Sequence, residues 1–193
     1  SRNVREEYLL EIAASLEKLS EHPIAKAIVE KAKLKRYKKV TEFRVLRGRG
    51  VEGKMGNKEI IIGNRTLMKE KKINLNNYEK KIIEFESQGN TVMIVVENKK
   101  IIGVIAVADA VKEDSVEAIV QLNAQGYRTI MITGDNENTA KAIAKEVGIQ
   151  EVIANVLPED KEKKVVELQK YGMVAFVGDG INDAPALKQS NVG

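Results

Sequence analysis

The sequence predicts an α/β protein in which an α+β domain precedes a doubly wound, parallel-sheet domain. In the first half, short strands follow one another through tight turns, which is typical of an antiparallel sheet with flanking helices. In the second half, apolar strands alternate with amphipathic helices, which is typical of parallel strands joined by crossover helices. The pattern changes after about Asp109, and we expect domains over residues 1–105 and 106–193.

Two helices are predicted at the start of the first domain. Pro23 suits the first turn of the second helix, which we expect to run to about Arg36. The first helix is predicted from an apolar stripe at helical spacing, formed by Val4, Tyr8, Ile12, Leu16 and Leu19.

The antiparallel sheet of the first domain is predicted from short strands and two hairpin turns. Gly56-Asn57 and Asn98-Lys99 stand between strands as two-residue turns, and a helix near Leu75–Ser87 interrupts the strand series. The expected strands are Val40–Leu46, Val51–Met55, Lys58–Ile62, Thr91–Glu97 and Lys100–Ala108.

The second domain is predicted from strands over Thr129–Ile132, Val152–Ala154 and Val174–Val177. Helices are expected over Asp114–Gln125, behind Asp135 up to Gly148, and from Pro158 onward. In such sheets the loops at the carboxyl ends of the strands form the functional site, and acidic residues follow two of these strands.

Composition narrows the possible functions. The chain has no Cys and one His, which excludes disulfides, thiolate metal sites and histidine-rich clusters. No apolar run approaches the roughly 20 residues of a membrane span, and no signal peptide is visible, so we expect a soluble intracellular piece. Lysines and glutamates look interleaved and only 4% of residues are aromatic, which argues against nucleic-acid binding. Abundant Lys, Glu and Ile indicate a thermophilic source.

The most informative string is GDGINDAPAL, residues 178–187. Its two carboxylates, Asp179 and Asp183, stand four residues apart on a glycine-hinged turn after an apolar strand. They can therefore point to one spot, and Mg²⁺ accepts one or two carboxylates together with phosphate oxygens and water. The simpler alternative is a strand-to-helix turn with acidic helix caps.

Two further elements fit a phosphate ligand. Thr133-Gly134-Asp135 follows an apolar strand, and a hydroxyl with backbone N–H groups at a helix start forms an anion site. Ordinary capping of that helix by Asp135 or Asn136 is the alternative. Lys161, near the first turn of its helix, can neutralise phosphate charge, although a single lysine on a helix is usually only solvated.

In this order the three elements resemble the later motifs of the haloacid dehalogenase phosphotransferases, which form an aspartyl-phosphate on their first strand. The resemblance implies that these groups hold and neutralise a phosphoryl group aligned for transfer. The residues that it assigns to catalysis are Thr133, Gly134, Asp135, Lys161 and Asn182, and those that it assigns to Mg²⁺ are Asp179 and Asp183.

The first half of the sequence indicates which family of this superfamily the chain resembles. Ser20-Glu21-His22-Pro23, preceded by Glu17 and followed by the glycines of residues 48–53, resembles the nucleotide-binding domain of heavy-metal (P1B-type) P-type ATPases. The resemblance implies that His22 contacts adenine and that Glu17 and Glu21 shape the pocket. The residues that it places along the nucleotide are Gly48, Gly50, Gly63 and Asn64. A histidine before proline is otherwise more often a helix start, and the glycine spacing also matches a dinucleotide fingerprint, which the following hairpin excludes.

The family's nucleophile lies in an Asp-Lys-Thr-Gly-Thr string, which this sequence does not contain; Asp109 lacks the Lys-Thr-Gly that should follow. The resemblance places that string before Ser1, so we expect an incomplete second domain, without its first strand and truncated at its C-terminus. The chain should then bind ATP without forming a stable phosphoenzyme.

By resemblance the chain is the ATP-binding, phosphoryl-transfer fragment of a metal-pumping ATPase at the cytoplasmic face of a membrane. Copper is the first expectation for the cargo, with zinc, cadmium or cobalt open; the fragment itself would not bind the cargo. Its cofactors would be ATP and Mg²⁺, and its partners the pump's own membrane and actuator domains. The alternatives are a stand-alone phosphatase of the same superfamily and a non-enzymatic nucleotide-binding module.

Overall fold

The computed structural model describes residues 6–108, 111–178, 180 and 183–193. They fall into two compact units, one over residues 1–110 and the other over residues 111–193. Within the described part of the chain, no helix is both long enough and apolar enough to span a membrane.

The first unit contains a five-stranded antiparallel sheet in the order β1-β2-β3-β4-β5. Both predicted hairpin turns are present. In the first, Gly56 alone of the two turn residues has a positive φ, +60°, as in a type II′ turn; in the second, Asn98 and Lys99 adopt φ +47° and +65°, as a type I′ turn requires. The strands are β1 Thr41–Leu46, β2 Gly50–Met55, β3 Lys58–Gly63, β4 Asn90–Glu97 and β5 Lys100–Ala108.

Helices cover both faces of this sheet. Successive side chains of a strand point to opposite faces, so Ile60 and Ile62 pack with the helices α1 and α2, while Ile61 packs with α3 and α4. Both faces are therefore buried, and the unit has two apolar clusters separated by the sheet. The helices are α1 Glu6–Glu17, α2 Pro23–Ala32, α3 Arg65–Glu70 and α4 Glu79–Ser87.

The helices of the first unit differ from prediction at their ends. α2 stops at Ala32 instead of Arg36, because Lys33 takes a left-handed conformation with φ +45°. α1 ends at Glu17, which leaves Leu19 exposed and outside the expected stripe; Val4 lies outside the described residues. α4 begins at Glu79, later than predicted, and α3 was not predicted at all.

The second unit pairs β6 Ile130–Ile132 with β7 Glu151–Ile153 in parallel. Together with the antiparallel first unit, this parallel pair and its flanking helices confirm the predicted fold class. A 3₁₀ turn over Pro158–Asp160 leads directly into α7. The helices are α5 Glu113–Ala124, α6 Glu137–Val147, α7 Lys161–Gln169 and α8 Ala184–Gln189.

The predicted strand over Val174–Val177 is wrong. Ala175 alone forms a bridge, in parallel with Val192, and Val177 is 95% exposed. A strand needs a partner along its length, and among the described residues the backbone–backbone hydrogen bonds of residues 191–192 run only to residues 174 and 176. The segment is therefore held at one point instead of forming a ladder.

Candidate functional site

The loop after β6 carries Thr133, Gly134 and Asp135 in a braced conformation. The Thr133 hydroxyl donates to Asp135 Oδ2 at 2.9 Å and accepts from the Asp135 N–H at 3.1 Å. The Thr133 N–H donates to the Ile153 carbonyl at 3.0 Å. Among the hydrogen bonds of the described residues, the Gly134 N–H takes part in none. Of the three predicted groups, Gly134 therefore offers the N–H for an anion.

The helix behind this loop is capped by Asn136, one of the two residues proposed for that role. Its Oδ1 accepts from the N–H groups of Asn138 at 3.0 Å and Thr139 at 3.1 Å. The side chain of Asp135 is thus not the cap, and it instead contacts the Thr133 hydroxyl. The capping explanation accounts for Asn136 and leaves Thr133 and Asp135 to be explained otherwise.

Lys161 and Asp183 are brought together from two separate motifs. Lys161 Nζ donates to Asp183 Oδ1 at 2.7 Å, and the two side chains are 19% and 14% exposed. Lys161 is the first residue of α7, and Asp183 directly precedes α8. The lysine is therefore not a freely solvated surface residue, which removes the simpler explanation of its presence.

Gly178, which the sequence placed on a glycine-hinged turn, also contributes to this site through its close approach to Asp183. A Cβ at this position would lie 2.9 Å from both Cβ and Oδ2 of Asp183. No side chain fits there without displacing the Asp183 carboxylate, so the first glycine of the motif sets the carboxylate's position. The glycine just before the acidic residues was the available signal.

Part of the predicted metal site cannot be placed. Asp179 and Asn182 lie outside the described residues. Within the residues that the structure does describe, no group of three or more His, Cys, Asp or Glu side chains could hold a metal ion. Asp183 retains an oxygen, Oδ2, that is not bonded to Lys161, and such a hard oxygen donor is of the kind that Mg²⁺ prefers.

In the first unit, Glu17 and His22 stand at the junction of α1 and α2. His22 is the N-cap of α2: its Nδ1 accepts from the Ile24 N–H at 3.3 Å, and the residue is exposed. His22 therefore caps the start of α2, as the simpler explanation predicts, and its imidazole is also exposed to solvent. Glu21 is exposed beside it.

Glu17 is unusual for a carboxylate because it is only 3% exposed. Burial raises the pKa of its carboxyl from 4.5 to about 7, since a charge is poorly solvated there. A carboxyl with a pKa near neutrality can either donate or accept a hydrogen bond at physiological pH.

The predicted glycines and Asn64 meet at one turn of the sheet. Asn64 Nδ2 donates to the Gly48 carbonyl at 2.9 Å, and Gly50 pairs with Gly63 across β2 and β3. A Cβ on Gly50 would lie 2.0 Å from the Ile62 carbonyl oxygen, and one on Gly63 would lie 2.4 Å from the Arg49 carbonyl oxygen. These two glycines are therefore required by close backbone packing, whatever else they contact.

Comparisons with known proteins agree with these motifs. The family model described as haloacid dehalogenase-like hydrolase matches residues 3–191. The copper-exporting P-type ATPase of Staphylococcus haemolyticus (strain JCSC1435) is 48% identical over 187 residues, covering 95% of this chain and 24% of the relative. That of Staphylococcus saprophyticus is 44% identical over 191 residues, covering 97% and 24%. The chain thus spans about a quarter of the length of these relatives.

Solved structures give the same family. A zinc-transporting PIB-type ATPase in its E2.Pi state is 38% identical with a TM-score of 0.60, covering 98% of this chain and 31% of that one. A second structure is the catalytic domain of the CPx-ATPase CopB-B, solved in a study of its conformational changes upon nucleotide binding. It is 30% identical with a TM-score of 0.68, and the match covers 97% of this chain and 67% of that one. The chain therefore belongs to the haloacid dehalogenase-like hydrolases, and within that family it corresponds to the catalytic region of the heavy-metal P-type ATPases.

Proposed function

We propose that this chain is the region of a copper-exporting P-type ATPase that binds ATP and holds its terminal phosphoryl group for transfer, with ADP leaving, to the aspartate that the family resemblance places in an Asp-Lys-Thr-Gly-Thr string outside this sequence. The observation that carries the proposal is the ion pair between Lys161 and Asp183. It brings a cation and a carboxylate from two separate motifs to one point, as a site that neutralises phosphate charge requires. The parts of the pump that cross the membrane would belong to the rest of the longer protein, and this region would lie at the cytoplasmic face.

In the first unit, Glu17 and His22 would bind the adenine ring. His22 Nδ1 accepts from the Ile24 N–H, so Nε2 is the ring nitrogen left to contact the base, and the ring itself can stack on the base. The buried Glu17 carboxyl, with its pKa near 7, can exchange a hydrogen bond with the base edge. Glu21 would border the pocket, and Gly48, Gly50, Gly63 and Asn64 would lie along the nucleotide.

In the second unit, Lys161 would neutralise the transferring phosphoryl group and the Gly134 N–H would hold one of its oxygens. Thr133 and Asp135, joined through the Thr133 hydroxyl, would orient that loop, and Asn182 would position the phosphate. Bound Mg²⁺ would supply further charge neutralisation, with Asp179 and Asp183 as its protein ligands. Such chemistry depends on alignment and charge more than on covalent participation by these residues.

Copper is proposed as the cargo because the similar relatives at 44–48% identity are named copper-exporting, whereas the zinc-transporting structure is 38% identical. The test is ATP hydrolysis by the full-length pump in membrane vesicles with Cu⁺ or Zn²⁺. Stimulation by Cu⁺ alone is expected, and loss of that stimulation in Asp183→Asn ties it to this site. Stimulation by Zn²⁺ alone would reassign the cargo.

Nucleotide binding is tested by NMR titration of this chain with ATP. His22→Ala should weaken binding about tenfold, because an aromatic contact with a base contributes roughly 1–3 kcal/mol. Lys26→Ala, exposed on the same helix, is the matched control and should bind as the parent does. Equal affinity of the parent, His22→Ala and Lys26→Ala for ATP would contradict the proposed pocket.

Two further results would favour the alternative functions. Hydrolysis of small phosphate esters by this chain would favour a stand-alone phosphatase, and ATP binding without turnover by the full-length protein would favour a non-enzymatic nucleotide-binding module.

A further inference from the structure

The positive charge of this protein is concentrated in one short segment. Residues 31–39 contain six basic and no acidic residues, a charge of +6, whereas the whole chain carries +4. The remaining residues therefore carry −2 between them. The even interleaving of lysines and glutamates expected from the sequence is wrong for this segment, which we call the basic ridge. Its basic residues are Lys31, Lys33, Lys35, Arg36, Lys38 and Lys39.

The basic ridge is held against α1 and leads toward the Glu17–His22 pocket. The Lys38 N–H donates to the buried Ser15 hydroxyl at 3.0 Å, and Leu34 and Tyr37 pack on the apolar cluster of α1 and α2. Lys18 Nζ lies 4.0 Å from the centroid of the Tyr37 ring. Because Lys18 directly follows Glu17, the ridge passes beside the end of α1 at which the pocket begins.

The charges of the ridge are exposed and mostly not neutralised. Lys38 pairs with Glu11 at 3.1 Å. Among the residues that the structure describes, no ion pair is formed by the other five basic side chains, all of which are exposed. Like charges this close repel one another and do not stabilise the fold. A role in attracting an anionic ligand would account for this repulsive arrangement.

We infer that the basic ridge attracts the polyphosphate chain of a nucleotide toward the Glu17–His22 pocket and so favours nucleotides with more phosphates. This inference rests on the proposed function. The eight residues 23–30 of α2 separate His22 from the start of the ridge at Lys31, a length of about 12 Å. The Debye length is about 8 Å at physiological salt and about 30 Å at 0.01 M, so the attraction reaches the pocket best at low ionic strength.

The test compares ligands of equal base and increasing charge. Adenosine, AMP, ADP and ATP are titrated without Mg²⁺ into the parent and into the triple variant Lys33→Gln/Lys35→Gln/Arg36→Gln. At about 0.01 M ionic strength, the Kd for ATP should rise about tenfold in the variant, with smaller rises for ADP and AMP. Adenosine should bind equally to both, and the difference for ATP should vanish at about 0.5 M salt.

A matched control removes the same charge elsewhere. Lys69→Gln/Lys80→Gln/Lys100→Gln alters exposed lysines of α3, α4 and β5, and should leave the Kd for ATP within about twofold of the parent. The inference is overturned if the ridge variant binds ATP as the parent does, if the control variant weakens ATP equally, or if adenosine binding falls with ATP binding. If adenosine binds the parent no better than it binds His22→Ala, the adenine pocket itself fails instead.

Discussion

Lys161 and Asp183 lie 22 residues apart in the chain, yet their side chains meet at 2.7 Å with little exposure to solvent. The sequence motifs indicated each residue separately, but not that the two side chains contact each other. In the structure each satisfies the other's charge, and Gly178 leaves space for the carboxylate only because it has no side chain. The pair is therefore both a structural contact and the core of the proposed phosphoryl site.

Removing one partner of this pair should destabilise the second unit. Asp183→Ala leaves the shielded Lys161 ammonium without its carboxylate, and we expect a loss of about 2 kcal/mol. Glu167→Ala is the control: Glu167 contacts Lys164 at the same 2.7 Å but is 56% exposed, so its loss should be below about 0.5 kcal/mol. Urea denaturation measures both, and equal losses would show that burial does not strengthen the Lys161–Asp183 contact.

The buried Glu17 should make stability depend on pH. Burial raises the pKa of its carboxyl from 4.5 to about 7. Below pH 4.5 the group is protonated whether the chain is folded or not, and it imposes no penalty. As pH rises toward 7 the unfolded chain ionises first, so the free energy of unfolding falls, by about 3 kcal/mol in total, and stays low at higher pH.

Glu17→Gln removes this titration. Relative to the parent, the variant should gain about 3 kcal/mol of stability between pH 4.5 and pH 7.5, measured by urea denaturation at both values. Glu21→Gln alters the neighbouring carboxylate, which is exposed and not buried, and as the control it should not reproduce the gain of about 3 kcal/mol. A constant difference for Glu17→Gln at the two values would mean that the carboxyl is not shielded from water.

The sequence predicted the elements whose signals are local. Two-residue turns such as Asn98-Lys99 fixed the hairpins because few residues adopt positive φ, and Pro23 marked a helix start. The six residues of α3 are too few to show a helical period, so that helix was missed. The strand expected at Val174–Val177 was wrong because apolar content cannot reveal whether a partner strand lies alongside.

Site geometry was predictable only in part. The motifs indicated which side chains could serve a phosphate, but the Lys161–Asp183 contact depends on how two distant helix starts pack. The burial of Glu17 likewise follows from its place at the end of α1, which no periodicity shows. The basic ridge was visible in the sequence and was missed, because an overall net charge of +4 hides a segment with a charge of +6.

The thermophilic source, which was inferred from the abundance of Lys, Glu and Ile, stays a prediction.

Gly50 should tolerate no side chain. Its φ is +146°, and an added Cβ would lie 2.0 Å from the Ile62 carbonyl oxygen, so the two paired strands would have to separate. Gly50→Ala should lower the free energy of unfolding by more than about 3 kcal/mol. Gly56→Ala is the comparison, because its φ is also positive but nothing lies within 4 Å, and it should lose about 1 kcal/mol. Thermal and urea denaturation measure both variants. Similar losses for Gly50→Ala and Gly56→Ala would mean that the positive φ, and not the contact with the Ile62 carbonyl oxygen, causes the destabilisation.

The first unit also depends on a buried carboxylate. Glu86, at 2% exposure, accepts from Arg65 Nε at 2.9 Å and from the Arg65 terminal nitrogen at 3.1 Å, which joins α3 to α4. Arg65→Met removes this bidentate cation and should destabilise the unit by about 3 kcal/mol, since the carboxylate stays buried. Arg65→Met/Glu86→Gln removes the buried charge as well and should regain part of that loss. Arg49→Met breaks an exposed pair with Glu70 and should change stability by less than about 0.5 kcal/mol. If the double variant is no more stable than Arg65→Met in urea denaturation, the loss comes from packing of the arginine stem and not from the buried charge of Glu86.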